Sequence, residues 1–572
     1  MNTEILGVII TFLLTVLLAI PLGKYIAKVF NGERTLMDFM NPVERFIFRI
    51  CGIDVNKPMN WSAFLKAMLT INLLWFVYGF FMLVFQHKLP LNPDGNAGQT
   101  PDLAFNTIIS FVTNTNLQHY SGESGATYLT QLFVLMFLQF VSAATGIACL
   151  IALFNAFKEK TTNNLGNFWS IFLKSITRIL LPLSFVVAVI LAFNGTPTSL
   201  KSKDTIVTLQ GDTQQISRGP AAAMIAIKQI GTNGGGYFGA NSAVPFENPS
   251  YFTNIIEAIS IAVISIALVF AMGYYIKKKK LAWVIFGVMT FLFIIFCINN
   301  IYLETHGNPE IAKLGISQTT GAMEGKEVRF GAAATAYWSV ATTSTSNGSV
   351  NGMHDSLMPL SGGVVLLDMM INALYGGVGV GLLNYFIFII IAVFISGLMV
   401  GRTPEFLGHK VEAREVKIAA LVTLLSAFLI KVGTAFAAYI VVHHANADWA
   451  VKPSAWLNNP GYHGFSEILY EYTSSTANNG SGFEGLGDNN IWWNVTTGIV
   501  MLLARFLPII GPIAIAGTLA NKKYIPESAG TLRTDSITFG VMTIAVIVIV
   551  TALSYFPPLA LGPIAEYFSM HH

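Results

Sequence analysis

The sequence predicts an all-α polytopic membrane protein with ten transmembrane helices, eight of them arranged as four membrane–pore–membrane repeats. Three observations predict it. Hydrophobic residues make up 53% of the 572 residues and charged residues only 11%, against about 25% charged in soluble proteins. Apolar stretches long enough to span the hydrocarbon core recur along the chain. A small polar cluster around an asparagine returns four times, roughly every 115 to 130 residues, which reads as an internal repeat.

The ten apolar stretches cover about 5–29, 61–86, 129–157, 169–193, 251–275, 281–302, 379–400, 416–442, 491–519 and 536–557. Helices are expected because they satisfy their own backbone in lipid. The first stretch follows Glu4 rather than a basic region and has no small-residue cleavage site after it, so it reads as a retained span. Net charge is only +3, but its distribution is informative. Arg34, Arg45, Arg49 and Lys57 follow the first span, Lys277 to Lys280 the fifth, Arg402, Lys410, Arg414 and Lys417 the seventh, and Lys522, Lys523 and Arg533 the ninth. The opposite connections are longer yet poorer in Lys and Arg. The positive-inside rule puts both termini and all four clusters on the outer side.

Setting the first and last spans aside leaves four pairs, each bracketing one cluster. The expected organisation is a first helix and loop (1–60), repeats at 61–157, 158–275, 276–401 and 402–519, and a final loop and helix (520–572). Before each cluster lies a short apolar run: Leu103–Val112, Gly219–Ile230, Gly331–Ala341 and Gly464–Tyr472. About ten helical residues cover only ~15 Å, half the hydrocarbon core. These suit re-entrant half-helices, tolerated where buried in protein or lining water. A half-helix ending at the cluster turns its negative carbonyl end towards the axis. The clusters add further carbonyls, and their glycines permit unusual backbone. Four such loops around one axis can replace the water shell of a potassium ion.

Aligned, the clusters nominate as filter residues Asn114, Thr115 and Asn116; Thr232, Asn233 and Gly234; Ser346, Asn347 and Gly348; and Asn478, Asn479 and Gly480. Most are expected to act through backbone carbonyls. Leu117 is read as standing where the other loops have glycine, which predicts pseudo-fourfold symmetry. Gln118 is either a wall or entrance residue or a plain surface glutamine. Segment 231–236 is glycine-rich but lacks the Lys-Ser/Thr of a phosphate loop. Cys51, Cys149 and Cys297 show no metal or disulfide spacing. His443–His444 and His571–His572 read as solvated boundary residues.

Two of the cations within apolar spans stand out, because charge there is costly unless it faces water or a partner. Arg505 sits about midway along the ninth. Lys431, in the eighth, fits either a structural ion pair or a pathway role. Gly376, Gly377, Gly379 and Gly381 either kink the helix beside the pore or allow close helix packing.

Several long strings resemble the A-subunit family of the Kdp potassium-transporting ATPases (KdpA): TNTNLQHYSGES at 113–124, GTNGGGYFGANSAVPFENP at 231–249, NGMHDSLMPL at 351–360 and GRTPEFLG at 401–408. GGVGVGL at 376–382 and MLLARFLPIIGPIAIAG at 501–517 add to it. The resemblance covers essentially the whole chain. It implies four repeats related to potassium channels and Trk/Ktr/HKT-type transporters, in a bacterial inner (plasma) membrane. It also implies a complex in which a separate P-type ATPase subunit (KdpB-like) hydrolyses ATP and smaller C and F subunits complete the assembly. The A subunit would then be no enzyme by itself. It would take potassium, the transported ligand, from outside and pass it through an internal tunnel, with membrane lipid around it and no nucleic-acid partner.

On that resemblance Arg505 projects beneath the filter as gate or tunnel residue, with Lys431 as a second candidate, and Arg402 serves gating or partner contact. Family members commonly carry Gly-Glu where this chain has Asn372-Ala373, so a carboxylate role there does not carry over; Asp368 is a candidate substitute. The chain has no Asp-Lys-Thr-Gly phosphorylation motif and no Walker motif, which places ATP on the partner alone. A membrane potential of 100 mV supplies about 2.3 kcal/mol per charge, and each tenfold gradient costs about 1.4 kcal/mol. Uptake from trace potassium therefore calls for ATP. The alternative is a stand-alone Trk/Ktr-like potassium transporter with a cytosolic regulatory partner. A sodium symporter would show inverted halves, and no catalytic constellation supports an intramembrane enzyme.

Overall fold

The structure is a computed structural model and describes residues 3–401, 403–448, 451–526 and 533–570. Arg402 and the His571–His572 pair lie outside these residues. Among the described residues, ten helices are long and apolar enough to cross a membrane: Thr3–Asn31, Trp61–Val84, Tyr128–Lys158, Phe168–Phe193, Tyr251–Tyr275, Lys279–Lys313, Val380–Met399, Ala413–His443, Ile491–Ala520 and Ile537–Ser569. Several of their N-termini carry side-chain caps. Asn60 accepts from the Ala63 amide at 2.9 Å, Ser250 from Thr253 at 3.3 Å, and Asn490 from Trp493 at 3.3 Å. Each satisfies one of the orphan amides of a first turn.

The spans fall into two layers. The second helix of each repeat has 61–83% of its most apolar window buried, the first helix only 22–50%. The four second helices therefore surround the axis and the first helices shield them. The extra N-terminal helix lies along Tyr251–Tyr275 at very close approach. A methyl group on Gly23 would meet the Ala267 carbonyl at 2.5 Å, a small-residue contact of the kind that lets membrane helices touch backbone to backbone.

Four short helices precede the clusters: Pro101–Val112, Ala221–Ile230, Gly331–Ser344 and Tyr462–Ala477. All four are buried over most of their length. The third and fourth run past the ends expected from apolarity, through Thr342–Ser344 and Thr473–Thr476. Some hydroxyls there find partners inside the protein: Thr343 bonds back to the Ser339 carbonyl at 2.9 Å, Ser344 donates to Asp368 and Ser474 accepts from the Gly480 amide, so these polar residues stay helical without water.

Repeat three departs from the other repeats. Its cluster is followed by a half-helix, Pro359–Ile371, then an irregular segment, then the span beginning at Val380. The left-handed residues Asn372, Tyr375, Gly376 and Gly379 break the helix there. Two small antiparallel hairpins, Asp204–Val207 with Thr213–Ile216 and Glu405–Phe406 with His409–Lys410, complete the described architecture.

Candidate ion-binding site

All four clusters adopt one backbone design. The central residue of each donates its amide to the carbonyl five residues earlier, in the last turns of the short helix: Thr115 to Ser110 at 2.9 Å, Asn233 to Lys228 at 2.8 Å, Asn347 to Thr342 at 2.9 Å and Asn479 to Ser474 at 2.9 Å. The residue before it has positive φ in every loop (Asn114 61°, Thr232 45°, Ser346 49°, Asn478 51°), and so has the residue after it (Asn116 55°, Gly234 84°, Gly348 86°, Gly480 100°). This pattern corrects the reading of Leu117. Asn116, not Leu117, occupies the place of the glycines, and Leu117 matches Gly235, Ser349 and Ser481. Asn is the non-glycine residue that best tolerates the left-handed region, so the loop keeps its shape without glycine. Asn116→Gly is therefore expected to leave cation affinity within about twofold of the parent. Asn116→Val, β-branched at positive φ, is expected to weaken it at least tenfold; calorimetric titration of the purified chain with alkali cations measures both.

The loops close into a ring. A Cβ on Gly234 would strike the Asn347 carbonyl, one on Gly348 the Asn479 carbonyl, and one on Gly480 the Thr115 carbonyl. The fourth seam is closed by side chains: Asn114 donates to the Thr232 carbonyl at 2.8 Å and Asn233 donates to Asn114 Oδ1 at 2.7 Å. Two further asparagines clamp around the circumference. Asn347 Nδ2 donates to the Lys228 carbonyl at 3.2 Å, and Asn479 Nδ2 to the Thr342 carbonyl at 2.9 Å. Each reaches the helix end of the preceding repeat. Gln118 is half-buried and donates to the Gly236 carbonyl at 3.2 Å, between the exits of loops one and two.

Among the described residues, no backbone amide or side chain donates to the carbonyl oxygens of Thr115, Asn233, Asn347 or Asn479. All four residues are buried. Buried carbonyls without a donor are rare in proteins. Four of them, one per repeat on a closed ring, form an oxygen-only donor set that suits a dehydrated hard cation.

The irregular segment of repeat three lies against the inner ends of the loops. Val378 N donates to Thr232 Oγ1 at 2.9 Å, Gly376 N to the Ser344 carbonyl at 2.7 Å, Ser346 Oγ to Asn372 Oδ1 at 3.0 Å, and Asn372 Nδ2 to the Ala477 carbonyl at 3.3 Å. A Cβ on Gly379 would strike the Gly146 carbonyl. One segment thus touches all four repeats, and the glycines serve both the break and the close approach. Arg505 projects into the same place. It is 3% exposed, and among the described residues it has no ion-pair or hydrogen-bond partner; Nη2 is buried and unmatched. The position of a Cβ on Gly377 lies 3.5 Å from Ser346 Cβ and 3.7 Å from Arg505 Nη1. Asp368 is buried beside the same loop, accepting from Thr343 Oγ1 at 2.8 Å and Ser344 Oγ at 2.6 Å, with Oδ1 unmatched.

Lys431 is elsewhere. Its side chain lies on the exposed face of Ala413–His443, with no acidic partner among the described residues. Among the described residues it forms no ion pair, and the helix turns its opposite face to the protein interior.

Several ring supports were not foreseen. His119 Nδ1 lies 2.6 Å from Asn494 Oδ1 and Nε2 lies 3.1 Å from Glu471 Oε1. Asn494 Nδ2 donates to Asp102, which leaves Oδ1 to accept from the imidazole. Burial disfavours the charged ring, yet the Asp488 and Glu471 carboxylates outweigh it and hold the pKa up at about 9. This cation pins the exit of loop one to repeat four. On loop two, the buried Lys228–Glu247 pair plays a similar part. The hint in the sequence was a lysine three residues before a polar cluster, inside an apolar run.

The model of the family described as potassium-transporting ATPase A subunit matches residues 9–568. A Flavobacterium johnsoniae protein described as the potassium-transporting ATPase potassium-binding subunit is 64% identical over the whole of both chains. Proteins of the same description from Phocaeicola vulgatus and Geobacillus kaustophilus are 61% identical over all of both chains and 45% identical over 98% of each. Among solved structures, the crystal structure of the potassium transporter TrkH from Vibrio parahaemolyticus is similar over 89% of this chain and 98% of that one, at 15% identity and a TM-score of 0.49.

Proposed function

The chain belongs to the potassium-transporting ATPase A subunit family, and from that premise we propose that it is the potassium-binding, non-hydrolytic subunit of an ATP-driven uptake complex. The observation that carries this reading is the ring of four buried carbonyls without donors, from Thr115, Asn233, Asn347 and Asn479. In this reading potassium enters from the outer face of a bacterial plasma membrane, with both termini on that side. It sheds its water to the ring carbonyls of the four clusters, with Gln118 at the entrance. Arg505 stands beneath the ring, and its charge repels an ion moving straight inward.

The way out is then sideways. A small cleft of about 50 Å³ opens beside the inner ends of loops three and four, lined among others by Asn372, Asn384, Thr423, Thr476, Thr551 and Tyr555. Half of its lining is apolar, and the hydroxyls and amides of the other half offer a cation oxygen ligands. The partner that receives the ion is a P-type ATPase subunit of the KdpB kind, with C and F subunits completing the assembly. ATP binds only to the partner. Arg402 is retained as a gating or partner-contact residue on the strength of the family resemblance.

The test is to purify the tagged chain from its native membrane at low potassium and to assay ATP hydrolysis with and without the ion. A P-type ATPase is expected to co-purify, with hydrolysis stimulated by potassium and altered by Arg505 substitutions. A chain isolated alone, or with a cytosolic nucleotide-binding ring, would instead support passive transport.

A further inference from the structure

The carbonyl five residues before each loop's central residue marks one equivalent position in the four short helices: Ser110, Lys228, Thr342 and Ser474. In repeats one and four, the side chain at this position ties down the exit of its own loop. Ser110 Oγ donates to the Leu117 carbonyl at 2.9 Å, and Ser474 Oγ accepts from the Gly480 amide at 2.9 Å. A serine reaches because those exits lie close. Thr342 has no such bond; its hydroxyl is buried and unmatched.

Loop two leaves through Gly234-Gly235-Gly236, the most flexible backbone of the four exits. The residue at its tether position is Lys228, whose side chain is fully buried. The ammonium donates to Asn241 Oδ1 at 2.5 Å, to Ser242 Oγ at 2.8 Å and to Glu247 Oε2. Asn241 Nδ2 in turn donates to the Gly234 carbonyl at 2.5 Å, and Glu247 Oε1 accepts the Tyr237 and Phe238 amides at 2.6 and 2.9 Å. The bracket extends to loop three. Gln229 Nε2 donates to Glu257 Oε2 at 2.7 Å and to Ser349 Oγ at 2.9 Å, and Ser242 Oγ donates to Glu257 Oε2 at 2.8 Å. The Lys228 carbonyl also receives Asn347 Nδ2 of loop three.

We propose that Lys228 is a positioning residue for ion selection: through Asn241 and Glu247 it holds the glycine-rich exit of loop two, and with it the seam to loop three, at the spacing that prefers potassium over a larger alkali cation. The proposal rests on the ring being the ion filter. Charge-assisted bonds are shorter and stronger than neutral ones and so hold a bracket more firmly, and the two charges at its centre, Lys228 and Glu247, are buried against each other. Stiffness matters here because rubidium differs from potassium only in radius, so discrimination depends on how far the ring can relax.

The test uses the purified transporting complex. Lys228→Met with Glu247→Gln removes both charges together, so neither is left buried and alone. Expected are a potassium KM raised at least tenfold, a rubidium KM raised no more than threefold, and saturating turnover within twofold of the parent. Lys228→Arg with Glu247 intact is expected to recover most of the discrimination. Asn241→Ala, a neutral change that cuts the bond to Gly234, covers the case in which the double variant does not assemble; its potassium-to-rubidium KM ratio should shift at least threefold in the same direction. An unchanged ratio in an assembled double variant, or in Asn241→Ala if the double variant fails, overturns the proposal. Gly348→Ala is run alongside. If it shifts potassium KM while the bracket variants do not, the bracket is wrong and the filter stands. If none of them shifts it, the filter reading itself fails and the proposal falls with it.

Discussion

Gly348→Ala is expected to raise the potassium KM of the complex at least a hundredfold, to the point where growth on trace potassium is lost. Two costs act at this residue. Its φ of 86° lies where a Cβ is disfavoured, worth about 1–2 kcal/mol for an ordinary L-residue. The methyl would also collide with the Asn479 carbonyl, which belongs to the neighbouring loop and is one of the four without a donor. The collision cannot be relieved by rotating a side chain, because the obstructing atom is backbone. The carbonyl must move, and Asn479 is tied on both sides, its amide to Ser474 and its Nδ2 to Thr342. A hundredfold change in affinity is about 2.7 kcal/mol, within what strain plus a displaced ligand oxygen can supply. Gly482→Ala is the control: that glycine lies two residues beyond the ring, and a Cβ there meets only Glu471 Oε2 at 3.9 Å. It should behave as the parent does. A Gly348→Ala complex that keeps potassium KM within threefold would mean that the ion is chosen somewhere other than this ring.

What the sequence makes legible follows from what is local. Span length is a composition effect, so the ten apolar stretches match the ten helices to within a few residues, apart from longer tails beyond 302 and 557. The four loops were legible because a polar cluster after a run too short to span has few alternatives in lipid. The register of loop one was not. TNTN can be aligned on either asparagine, and the φ pattern together with the hydrogen bond from Thr115 to Ser110 places Asn116 with the glycines. The half-helix Pro359–Ile371 was also missed, since thirteen residues containing two glycines give no spanning signal. Lys431 misled because a cation within an apolar span looks alike whichever way it faces; facing is a property of the packed bundle. The bracket of Lys228 joins residues up to about 120 positions apart, through Ser349, and no window on the chain brings them together. The string GANSAVPFENP was visible as a motif, but its purpose is visible only once Asn241, Ser242 and Glu247 are seen converging on one ammonium.

Arg505→Met is expected to make the complex leaky. In proteoliposomes, ATP-independent rubidium efflux should rise at least tenfold over the parent, and ions moved per ATP should fall. The argument is electrostatic. The guanidinium is buried, unmatched among the described residues, and separated from Ser346 only by the narrow space beside Gly377. A unit charge ~7 Å from a monovalent cation, at an effective dielectric constant near 20, contributes roughly 2 kcal/mol of repulsion, a factor of about thirty in occupancy directly beneath the ring. That no counter-charge lies beside it among the described residues is what makes it effective, since a paired arginine would present little net field. Methionine keeps the length and apolar stem while removing the charge, so packing along Ile491–Ala520 is preserved. Arg505→Lys separates charge from shape: the cation remains, and efflux should stay within threefold of the parent. Equal efflux from the methionine variant and the parent would show that the irregular segment of repeat three, with its contacts to all four repeats, blocks the axis by itself, and that the arginine contributes no barrier. High efflux from both variants would assign the barrier to the shape of the guanidinium rather than to its charge.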